Sequence, residues 1–181
     1  MMIATLFGKK KITEDKLANV FVNTVLEMGS EGFAAVAAEV NEAPEFEVPP
    51  VLDARDDQHF LLIALAGNLI EMQRTLGPGL DKRMYSLSIS KFAQAIGRGC
   101  TELETDVKAL QARMERMNHP SKNTVLAMAR ALFSEYDLYE YQDSYFKAMR
   151  QPNPIVLKRI TGLFNYFLFN WSEVNEQYRI G

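Results

Sequence analysis

The chain has 181 residues, 48% of them hydrophobic and 24% charged, with a formal net charge of −3. That balance suits a folded domain with its own core and excludes disorder of the whole chain. It offers no basic face to neutralise phosphates, so nucleic acid is not an expected partner. One cysteine, Cys100, excludes an internal disulfide.

The chain opens on a short apolar run followed by Lys9, Lys10 and Lys11. A secretory leader carries its charge ahead of a longer apolar stretch. Here the order is reversed, and the lysines read as a solubilising flank. Residues 1–12 are therefore expected to be an arm ahead of a single domain, 13–181. The most apolar late segment, Ile160 to Trp171, is too short to span a bilayer and contains Asn165 and Asn170. A reducing, cytoplasmic setting is the expectation.

Thr13 is the expected N-cap of the first helix, with Glu14 and Asp15 favourable in its first turn. Leu17, Val20, Phe21, Thr24, Val25 and Met28 follow at helical spacing, and Gly29 reads as the stop. Ser30 is expected to cap a second, alanine-rich helix with Phe33, Val36, Ala37 and Val40 on one face. Pro44, Pro49 and Pro50 then enforce an extended linker over 43–52. The favoured reading lays it over its own subunit, with Phe46 and Val48 in grooves. The alternative is exchange with a second subunit.

A third helix starts at Asp53 or Asp56. From Phe60 to Leu76 it is apolar nearly all round, which places it at the centre of the fold. Gly67 within it marks a close crossing, and Gly77-Pro78-Gly79 ends it. The fourth helix runs from about Asp81 to Ile96, before Gly97-Arg98-Gly99. Thr101 and Glu104 form a capping-box pattern. Leu103, Val107, Leu110, Met114 and Met117 give the fifth helix a heptad seam. Cys100 reads as a small buried hydrophobe. The sixth helix carries Val125, Met128, Ala129, Leu132 and Tyr136, and the segment 137–150 reads as a short helix. The last runs from Ile155 to about Tyr178 and is a second candidate for the centre. The fold class is thus all-α: a single-domain helical bundle, orthogonal or up-down, of seven to eight helices and no sheet.

Chemistry-bearing patterns are sparse. Asp56 and His59 lie one turn apart, a weak metal pair without partners. The commoner reading is an acidic helix start with a surface histidine. Gly77-Pro78-Gly79 and Gly97-Arg98-Gly99 stand where phosphate cradles stand, but they lack the accompanying residues. No nucleophile elbow is present. No cofactor is indicated, and nothing positive supports an enzyme.

Composition is most unusual at 135–146. Tyr136, Tyr139, Tyr141 and Tyr145 alternate with acids that include Asp143. Tyrosines at the core edge are the plain explanation. The functional one is an interface, since tyrosine is enriched there. The functional expectation is a helical interaction or scaffold protein, acting as a homodimer or with another protein. The alternative is a helical binder of an apolar small molecule or lipid, suggested by the large apolar residues around Phe60 and Phe164 and by nine methionines.

Overall fold

Thr13 sets the first helix in place. Its side chain accepts the Lys16 N–H, and the helix behind it, α1, runs unbroken over Glu14–Asn41. The computed structural model describes residues 8–181. Seven further α-helices follow: α2 (Gln58–Thr75), α3 (Leu80–Ile96), α4 (Cys100–Asn118), α5 (Thr124–Glu135), α6 (Ser144–Met149), α7 (Pro154–Phe164) and α8 (Trp171–Gln177). Single 3-10 turns lie at Leu138–Tyr141 and Asn165–Phe167. The chain is an all-α helical bundle, as its periodicity predicts.

Helix α2 is the central element, packing against α1, α3, α4, α5 and α8. Every residue from Ile63 to Leu69 is buried, which is what an all-round apolar helix requires. Gly67 lies where the Met128 side chain crosses, as expected, and a Cβ there would overlap it. The heptad seam is consumed inside the same chain: Leu103, Val107, Leu110 and Met114 are fully buried.

Several expected boundaries are corrected. Gly29 does not stop α1, and Ser30 does not cap a new helix. The Ser30 hydroxyl instead donates 2.8 Å back to the Leu26 carbonyl within the continuous helix. Gly29 and Gly32 are small for another reason: Leu61 and the Phe167 ring occupy the space where their Cβ atoms would stand. Helices α3 and α4 are separate, as expected, because Gly97 takes the left-handed conformation at φ 68°. The Thr101–Glu104 capping box does not form. Gly99 is the N-cap, Thr101 lies inside the first turn, and Glu104 pairs with Lys108 at 2.6 Å. Cys100 is exposed rather than buried, since the inward seam of α4 starts only at Leu103.

The expected last helix is two helices with a 3-10 turn between them. Asn68, fully buried on α2, causes the break. Its amide donates to the Phe167 carbonyl at 2.7 Å and accepts the Phe169 N–H at 2.6 Å, and the Trp171 indole donates to the Asn68 carbonyl at 3.2 Å. These bonds draw the backbone at 167–169 out of helical register.

There is also a small sheet. Strand β1 (Lys10–Ile12) pairs in parallel with β2 (Tyr178–Ile180), with Lys10 opposite Tyr178 and Ile12 opposite Ile180. The expected arm is therefore part of the fold over 10–12, and Lys9 donates to the Asn175 carbonyl at 2.7 Å. The remainder of that arm, 1–7, lies outside the described residues. Three-residue strands are too short to show alternation, so periodicity gave no sign of them.

The 43–52 linker makes its bonds to other segments of the same chain. Asn41 clasps Leu52 through both its amide atoms, at 3.0 and 2.8 Å. The Glu47 N–H donates to the Tyr141 carbonyl at 2.9 Å, and Arg159 joins Glu39 and Glu45 at 2.9 and 2.8 Å. Phe46 is buried near the Phe133 ring, whereas Val48, the other expected groove occupant, is 60% exposed.

Candidate functional site

The tyrosine-rich segment divides sharply. Tyr136 ends α5 and reaches the start of α2. Its hydroxyl accepts the Phe60 N–H at 3.1 Å and donates to the Asp56 carbonyl at 2.8 Å. It thus caps a helix whose own N-cap residue, Asp57, makes no side-chain cap bond. Burial raises its pKa, with the Phe60 N–H opposing the rise. Tyr139 is buried, with its ring near Phe133 and the Arg150 guanidinium 5.1 Å from its centroid. Tyr141 is half-buried, and its carbonyl receives the linker at Glu47 and Val48. Three of the four tyrosines are therefore structural in this subunit. Tyr145 is 65% exposed.

Asp143 also has a local role. Its carboxylate accepts the Tyr145 and Phe146 N–H groups at 2.9 and 3.2 Å and so caps α6. Helix α6 is unusual in burying none of its residues. It is held by polar bonds instead. Gln142, 2% exposed, donates to the Gln151 carbonyl at 2.9 Å, and Lys147 pairs with Glu140 at 2.8 Å. That pairing lowers the pKa of Glu140 and raises that of Lys147, the hydrogen bond being the main cause. Arg150, in the left-handed conformation after the helix, reaches Asp137 at 3.6 Å.

The result is an apolar side held outward inside a mixed-charge rim. Met149 is 53% exposed and Ile155, at the start of α7, 60%. Met149 was not legible as a surface residue. Nothing in the sequence separates an apolar residue facing solvent from one facing core when a helix is only six residues long.

Asp56 and His59 are not brought together as metal ligands. The Asp56 carbonyl, not its carboxylate, is engaged, by Tyr136. His59 Nδ1 is 3.5 Å from Glu135, whose other oxygen is 2.7 Å from Arg113, and its ring meets Tyr136 edge-on. Among the described residues no group of three or more His, Cys, Asp and Glu is placed to hold a metal ion. The glycine turns are likewise satisfied from within. The Gly79 N–H donates to Asp81, and Arg98 binds Glu102 and Asp106, both at 2.6 Å. The large apolar residues near Phe60 pack on one another, its ring lying 5.1 Å from Phe33, 5.5 Å from Phe164 and 5.0 Å from Phe167.

No family model, curated protein or solved structure matches the chain. Among the described residues no helix is long and apolar enough to cross a membrane.

Proposed function

We propose that the protein is a non-catalytic interaction protein, that its docking element is α6, and that the partner this face fits is a second copy of the chain. The observation that carries this is that α6 buries none of its six residues while Tyr145 and Met149 stand outward. A helix this short is not stable by itself. Here it is fixed by an N-cap, a buried glutamine and an ion pair, and its apolar side is left unused by its own core.

Charge favours self-association. The rim carries Glu140 and Asp137 beside Lys147 and Arg150. A face with both signs can pair with itself across a two-fold axis, each cation meeting the other copy's carboxylate. Tyrosine and methionine are the residue types enriched in such patches.

Sedimentation velocity over a micromolar concentration series tests the reading. The wild-type chain should show a concentration-dependent dimer. Joint replacement Tyr145→Ala and Met149→Ala should leave a monomer with an unchanged melting temperature. A wild-type chain that stays monomeric throughout, or a variant that still dimerises, overturns the proposal.

A further inference from the structure

Away from α6, the first turn of α2, the last turn of α3 and the first turns of α4 meet at one end of the bundle and enclose a cleft of about 400 Å³. That volume is in the range of small-molecule sites. Phe92 and Leu103, both fully buried, form its floor. Leu61 and Leu62, half-buried, and Ile96, 37% exposed, form its walls. These apolar side chains face a concave space that the described residues leave unfilled.

The rim decides the chemistry. Gln58, His59, Arg98 and Asp106 border the opening. The Arg98 guanidinium is shared between two carboxylates, Glu102 and Asp106, so this trio carries one net negative charge. Behind His59, Glu135 lies 3.5 Å from its Nδ1 and is balanced by Arg113. Asp56 and Asp57 precede α2 at the same end and add two more negative charges. An anionic head group would meet this field unfavourably and an ammonium favourably.

We infer that the cleft binds a small cationic amphiphile, its apolar body on Phe92 and Leu103 and its protonated amine at the Asp106 edge. The inference is independent of α6, since no lining residue belongs to that helix.

Fluorescence of the neutral dye Nile red with the full chain tests it, using decylamine, decanol and decanoate as competitors of equal length below their micelle concentrations. The dye should brighten on binding, and decylamine should displace it at about tenfold lower concentration than decanoate, the equivalent of one favourable charge contact of about 1.4 kcal/mol. Ile96→Gln, at a partly exposed wall, should weaken dye binding by about fivefold with an unchanged circular dichroism spectrum, because a polar amide replaces apolar contact. Asp106→Asn should bring decylamine and decanol together. The Tyr145→Ala, Met149→Ala protein should behave as wild type, which separates this site from the dimer. Dye that does not bind, competitors that displace it equally, or an Ile96→Gln protein with full affinity each overturn the inference.

Discussion

Asn68 shows how one polar side chain redirects a whole segment. It sits in the most apolar stretch of the chain and uses both halves of its amide on the backbone at 167 and 169. A buried asparagine in an otherwise apolar helix must have partners, because an unpaired amide is costly. The apolar run around it places position 68 in a central helix; which carbonyl its amide would find, 99 residues away, was not readable. Asn68→Ala leaves the Phe167 carbonyl and the Phe169 N–H without partners, so a loss of about 2–4 kcal/mol is expected in urea denaturation at neutral pH. Tyr85 makes the opposite case. Its ring is buried, but among the described residues its hydroxyl has no partner. Burial, with a smaller contribution from Glu104, pushes its pKa up to about 12. The folded state therefore holds the proton after the unfolded state, with a pKa near 10, has lost it. Its contribution to stability is complete below about pH 10 and is lost as pH rises toward about 12. Tyr85→Phe should be neutral or stabilising by up to about 1 kcal/mol at pH 7, because it removes a desolvated, unbonded hydroxyl. It should also flatten the fall in melting temperature between pH 10 and pH 12 in a calorimetric series.

At the scale of elements, the sequence announced the helices better than their ends. Thr13 and Gly97 behave as their chemistry dictates, because a side-chain cap and a left-handed glycine are local events. Gly29 and Gly32 do not, because they answer to Leu61 and Phe167 from other helices. The same distinction explains the interface segment: tyrosine spacing could not reveal that Tyr136 would cap α2 and Tyr139 would pack on Phe133. Two substitutions separate the two kinds of glycine. Gly162, in the second half of α7, has open space where its Cβ would point, so Gly162→Ala should raise stability by about 0.5–1 kcal/mol through helix propensity alone. Gly32→Ala gains the same propensity but drives a methyl group into the Phe167 ring, itself wedged at 5.0 Å from Phe60. Overpacking of this kind costs about 1–3 kcal/mol, so the net change should be destabilising. Chemical denaturation of the two single variants side by side checks both signs, and a stabilised Gly32→Ala protein would mean that the ring can move aside.

Across the whole molecule, the two ends of the described chain meet. β1 and β2 join Lys10–Ile12 to Tyr178–Ile180, and the Gly181 N–H adds a bond of 3.1 Å to the Ile12 carbonyl. A two-stranded ribbon of this length has no stability of its own. It exists because Ile12 and Ile180, both partly buried, rest on the helical core. The direction of dependence is therefore from bundle to sheet. Deleting 178–181 removes the strand and part of the apolar burial of Ile180, for which a loss of about 1–2 kcal/mol is expected, below the value for full burial of such a side chain. Unfolding should remain a single cooperative transition. Native-state hydrogen exchange gives the sharper reading. Amides of residues 10–12 should exchange freely in the truncated protein, while those of Ile63 to Leu69 in α2 lose only the protection that the global change removes. If the α2 amides instead lost protection beyond that change, the closure of the ends would be part of what holds the core together. The central helix would then depend on a contact between residues some 170 positions apart, as Lys10 and Tyr178 are.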